Sequence, residues 1–114
     1  MRTNLLIADE SELQGQVIAM AEAAGWLVRL SSQGSKQGGR PQRAMRNKTA
    51  NGFPDLTMAK NGNVLFVELK MDHGDISPAQ LRWSAHVPNH YVIRPADLAD
   101  GRMERILAAW EPKL

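Results

Sequence analysis

The spacing of apolar residues divides the chain into segments of two periods. Leu13, Val17, Met20, Ala21 and Ala24 recur at three- and four-residue steps, the spacing that gathers side chains on one face of an α-helix. Asp9 stands ahead of them as an N-cap, Glu12 follows at the capping-box distance and Gly25 is a natural stop, so a helix over 9–24 is predicted. At roughly 100° per residue, Glu10 and Gln14 fall on the apolar stripe and Glu12 points away from it. Glu12 is therefore read as a solvent-side cap, and Glu10 as a carboxylate aimed at whatever the helix covers.

Trp26 to Leu30 reads as a short strand, and 31–51 as a polar, glycine-rich loop without apolar period. Loops of that length in small domains are more often functional or disordered than incidental. Two β-prone runs come next, separated by Asn61-Gly62. This pair suits a type I′ turn, which needs positive φ at both central positions, so the two runs are predicted to form a hairpin. Its register makes Lys60 face Asn63 and, counting outward, Asp55 face Glu68.

After a turn over Met71–Ile76, Ser77 and Pro78 open a second helix with Gln80 at the capping-box position. It is expected to run to about His86 and to bury Leu81 and Ala85. A fourth strand, His90–Arg94, stops at Pro95, and a closing helix from Leu98 carries Met103, Ile106, Leu107 and Trp110 at helical spacing. The order α-β-β-β-α-β-α predicts an α/β fold with a mixed central sheet flanked by helices.

Composition narrows the function. A chain of 114 residues suits one domain over 1–114, and 43% apolar with 23% charged residues is ordinary for a globular protein. Aromatic residues make up 5%, and no base-stacking platform is visible, which argues against a dedicated single-strand binder. Cysteine is absent, excluding disulfides, thiolate zinc sites and cysteine nucleophiles and fitting a reducing compartment. Apolar runs fall far short of the roughly 20 residues that span a bilayer, and Met1–Ile7 has too small an apolar core for a secretory signal. An intracellular, cytoplasmic protein is expected, without membrane partners.

Net charge is only +2, but its distribution is uneven. No acidic residue occurs from Ala23 to Pro54, whereas Arg29, Lys36, Arg40, Arg43, Arg46 and Lys48 are basic. Such clustering is the electrostatic footprint of phosphate-backbone contact. The flexible basic loop at about 33–51 is accordingly expected to contact nucleic-acid backbone phosphates through Lys36, Arg40, Arg43, Arg46 and Lys48.

Candidate chemistry centres on the hairpin. Opposed residues lie on one face with Cβ atoms about 4.5–5.5 Å apart, where two like charges repel. Lys70, two residues past Glu68, shares that face. Val64, Leu65, Phe66, Val67 and Leu69 surround Glu68, so the strand reads as buried on both faces and its charges need a partner or a metal. Two carboxylates and a lysine describe a divalent-metal site that activates water; a structural ion pair of Lys70 with Glu68 or Asp55 is the simpler alternative. Glu10 is either a third acidic ligand or an acid favoured by the helix dipole. Gln80 is already explained by its cap. His73, His86 and His90 have no metal-ligand spacing.

Gly52-Phe53-Pro54-Asp55-Leu56, Val64-Leu65-Phe66-Val67-Glu68-Leu69-Lys70, Ser77-Pro78-Ala79-Gln80 and a helix opening Glu10-Ser11-Glu12-Leu13-Gln14 occur in this order. With these motifs the chain resembles the PD-(D/E)XK nuclease superfamily, and within it the small VRR-NUC nucleases of phages and bacteria, from about Glu10 to Pro95. The resemblance implies a restriction-endonuclease-like core and Mg²⁺- or Mn²⁺-dependent hydrolysis of DNA, structure-specific in some members. It also implies Asp55, Glu68 and Glu10 as metal ligands, the Leu69 carbonyl as a further ligand, Lys70 as the motif lysine and Gln80 as a site residue. The basic loop is longer than the resemblance leads one to expect. A nuclease-fold module that binds nucleic acid or a partner protein without cutting is the alternative, and a domain this small is compatible with a homodimer or higher homo-oligomer.

Overall fold

The computed structural model of the chain describes residues 7–31 and 49–110. Helix α1 (Glu10–Ala23) starts where the cap signals place it, with the Asp9 carboxylate accepting the Glu12 N–H at 3.0 Å. Glu12 reaches back to the Ala8 N–H at 2.9 Å, one residue earlier than in a standard capping box. Leu13, Val17 and Ala21 are fully buried, with Met20 and Ala24 partly buried at the margin of the stripe.

Strand β1 (Leu27–Leu30) pairs antiparallel with β2 (Leu56–Lys60), and β2 with β3 (Asn63–Leu69). Leu56 faces Val67 and Lys60 faces Asn63, the register that the turn predicts, and Asn61 and Gly62 both have positive φ, 51° and 84°. A crossover through α2 (Pro78–His86) leads to β4 (His90–Ile93), which lies parallel to β3 with Leu69 beside Ile93. The sheet is therefore mixed, in the order β1-β2-β3-β4. Two short helices, α3 (Pro95–Ala99) and α4 (Arg102–Ala108), end the described chain. Among the described residues no helix is long and apolar enough to cross a membrane.

The sheet's two faces differ. Leu56, Met58, Leu65, Val67 and Leu69 share the face that joins the α1 stripe, Ile93 and Met103 in the core. Phe66 and Glu68 point from the other face, where the contacts of α2 are made.

Three expectations are corrected. The closing helix is two helices, because Gly101, at φ 84°, takes a left-handed conformation between them; Leu98, Met103 and Leu107 are buried across the break, so their spacing conceals it. Helix α2 has no buried residue: Leu81 is 56% exposed and Ala85 is also exposed. Its inward contacts come instead from Ala79, Gln80 and Trp83. In β3, Val67, Glu68 and Leu69 are buried, but the two-sided burial ends toward the turn, where Val64 is exposed. Lys36, Arg40, Arg43, Arg46 and Lys48 lie outside the described residues.

Candidate functional site

The site forms where the start of β2 meets the end of β3. Ser31, following β1, donates from Oγ to the Pro54 carbonyl at 2.6 Å and from its N–H to the Asp55 carbonyl at 2.9 Å. These bonds anchor the backbone that presents Asp55. The Asp55 Oδ2 accepts the Leu69 N–H at 2.8 Å, so one of its oxygens has a fixed direction. Continuing the ladder one step beyond Leu56 and Val67 sets Asp55 against Glu68.

Glu68 is 1% exposed. Its Oε2 accepts the Gln80 Nε2–H at 2.6 Å, while Oε1 is buried and has no donor facing it. Burial and the neighbouring Asp55 carboxylate push its pKa from the usual 4.5 up to about 8; the Lys70 ammonium opposes the shift and Glu10 adds slightly to it. Asp55, Lys70 and Glu10 are thus each within electrostatic reach of Glu68. Desolvation leads because a buried carboxylate with an orphaned oxygen gains from taking up a proton or a cation.

Gln80 serves two purposes with one amide. Its carbonyl accepts the Ser77 N–H at 2.8 Å while Ser77 Oγ accepts the Gln80 N–H at 3.1 Å, closing the capping box. That use of the oxygen turns the amide NH₂ toward Glu68. The cap and the site contact are therefore parts of one arrangement. Gly52 makes it possible: its φ is 90°, and a Cβ there would sit 2.5 Å from the Ala79 carbonyl carbon. Only glycine lets the loop before Asp55 lie directly on the first turn of α2.

Arg94 and the aromatic residues were not expected to take part. Arg94 donates from Nη1 to the carbonyls of Met71 at 2.7 Å and Gly74 at 2.9 Å, gathering the turn after Lys70, whose own N–H donates to the Ile93 carbonyl at 3.1 Å. Its partners are backbone groups, which no sequence pattern marks. Phe53 meets Phe66 and Trp83 edge to face, at centroid distances of 5.9 and 4.8 Å. Trp83 Nε1–H is shared between the Thr49 and Asn51 carbonyls, each at 3.1 Å. The only advance sign of this cluster was Phe53 beside Pro54-Asp55.

Other candidates are less closely held. Glu10 is exposed, and its charge is the weakest of those acting on Glu68. His73 and His86 are exposed, and burial lowers the pKa of His90, which heads β4. Among the described residues no three or more His, Cys, Asp or Glu side chains form a group that could hold a metal ion. The Asp55–Glu68 pair nevertheless has the donor chemistry of a Mg²⁺ site, since that ion is commonly held by one or two carboxylates together with substrate phosphate and water. The orphaned Oε1 is an oxygen that such a cation would satisfy. Comparisons with protein families, curated proteins and solved structures give no match to this chain.

Proposed function

We propose that the chain is a Mg²⁺- or Mn²⁺-dependent nuclease that hydrolyses DNA phosphodiester bonds, built on a restriction-endonuclease-like core of the PD-(D/E)XK, VRR-NUC kind. The observation that carries this reading is Glu68, a buried carboxylate with one oxygen held by Gln80, the other orphaned, and Asp55 and Lys70 as charged neighbours.

Asp55 and Glu68 would hold the metal, with Glu10 and the Leu69 carbonyl as further ligands. Bound there, a divalent ion would acidify water and offset charge on the scissile phosphate. Gln80 keeps Glu68 directed into the site by restraining Oε2. The Leu69 N–H does the same for Asp55. Lys70, on the Glu68 face of the strand, would orient the attacking water and stabilise negative charge as it grows on the phosphate oxygens. Lys36, Arg40, Arg43, Arg46 and Lys48 would contact backbone phosphates, making binding salt-sensitive and largely independent of sequence.

A second reading, a nuclease-fold module that binds nucleic acid or a partner without cutting, draws on the exposure of Glu10, which leaves two close acids rather than three. Linear, nicked, flapped and branched DNA incubated with protein in Mg²⁺ or Mn²⁺, beside EDTA controls, separates the two. The nuclease reading expects metal-dependent products that Lys70→Ala reduces by at least about 100-fold, the lower end of what loss of a donor to developing charge costs. DNA binding without cleavage would leave the non-cutting module.

A further inference from the structure

We propose that α2 carries a second binding site, for an unpaired nucleobase and its phosphate, in a pocket lined, among the described residues, by Thr49, Arg82, Trp83 and His86. The pocket measures about 240 Å³, below the roughly 300–1,000 Å³ of sites for drug-sized ligands. That is room for one planar ring system rather than a large ligand. Trp83 supplies an aromatic wall that is already fixed, by two carbonyl acceptors on its Nε1–H and by the edge contact with Phe53. A ring immobilised beforehand loses little conformational freedom when a base stacks on it.

The polar groups around that wall match a nucleotide. Arg82 is exposed, and its guanidinium suits a phosphate in shape and charge. His86 Nδ1 lies 2.9 Å from the Arg82 carbonyl. A carbonyl can only accept, so Nδ1 carries a proton, and Nε2 is left to hydrogen-bond a base edge. Placement along the helix agrees. Gln80, which holds Glu68, precedes Trp83 by three residues, about 4.5 Å of helix axis. The pocket and the proposed metal site therefore lie against the same helix, α2.

The inference rests on the nuclease reading for its choice of nucleic acid as ligand, and it is tested without catalysis. Binding of a labelled oligothymidylate and of an abasic strand of the same length is measured by fluorescence anisotropy in EDTA, for the intact protein, Trp83→Leu and Arg82→Ala. The intact protein is expected to prefer the base-bearing strand by roughly ten-fold. Trp83→Leu should erase the preference, and Arg82→Ala should weaken binding several-fold and lower its salt slope by about one counterion. If Trp83→Leu fails to fold by circular dichroism, the exposed Arg82→Ala variant and the two strands still decide. Equal affinity of the intact protein for both strands, or Arg82→Ala binding the base-bearing strand like the intact protein, overturns the proposal and gives the pocket to another occupant, such as an apolar side chain of a protein partner. Adding Mg²⁺ with linear, nicked, flapped and branched DNA to the same protein tests the nuclease reading separately: a base preference without cleavage of any of these would overturn that reading and keep the pocket.

Discussion

Helices α1 and α2 are both N-capped by a short polar side chain, yet they are fastened in opposite ways. Helix α1 buries Leu13, Val17 and Ala21 completely and is held by the withdrawal of apolar surface from water. Helix α2 buries none of its residues and is held by a glycine contact, an amide–carboxylate bond and the edge of an aromatic ring. Non-directional burial tolerates small shifts; directional bonds hold a few atoms in place. The helix that matters most to the site is thus the one with the least apolar packing.

That contrast can be broken at its strong end. Leu13→Ala removes a fully buried side chain and should cost about 2–5 kcal/mol, measured by urea denaturation, with the proposed metal-dependent cleavage retained by the fraction that remains folded. The site itself should give the next largest effect, through pH. Glu68 is protonated in the fold up to about pH 8 and ionises near 4.5 when unfolded. Its contribution to stability is thus fully present below about 4.5 and lost as pH rises toward 8, the loss amounting to a few kcal/mol. Urea midpoints for the intact protein should fall over that interval, and Glu68→Gln should flatten the fall. Added Mg²⁺ should raise the midpoint of the intact protein at pH 8 more than that of Glu68→Gln; equal rises would argue against Glu68 as a ligand. His90, whose pKa burial lowers, acts in the opposite direction, destabilising the fold as pH falls through the imidazole range.

Smaller effects test the directional end. Gly52→Ala drives a Cβ into the Ala79 backbone at a left-handed position and should cost about 1–3 kcal/mol. Its loss of cleavage should exceed what unfolding explains, since Gln80 moves away from Glu68 when α2 is displaced. Leu81→Ser, at an exposed site, should shift stability by no more than about 0.5 kcal/mol. A large cost there would mean that α2 is packed after all.

The same contrast explains what could be read from the sequence. The stripe of α1, both side-chain caps and the hairpin register were legible because each depends on residues close together in the chain. Asp55 opposite Glu68 followed from Asn61-Gly62 alone. The burial expected for Leu81 and Ala85 failed because apolar spacing marks a face without saying whether anything covers it. The site role of Gln80 came only with the family resemblance, because its cap already accounts for it locally. Phe53, Phe66 and Trp83 come from three separate segments, and Arg94 works through carbonyls, so neither contact leaves a periodic trace. Gly101 leaves no mark because the apolar spacing runs on through it.

The two-residue turn at Asn61-Gly62 also bears on how the site comes together in time. Asp55 and Glu68 are 13 residues apart in the chain, whereas Glu10 and Glu68 are 58 apart. Closing the longer loop costs about 1 kcal/mol more in chain entropy, and a hairpin forms within about 1–10 μs once its turn is made. The turn therefore brings the two acids face to face by a shorter closure than the one that would carry Glu10 to Glu68. In a hairpin not yet covered by α2, their repulsion would be met in water, before Glu68 is dried.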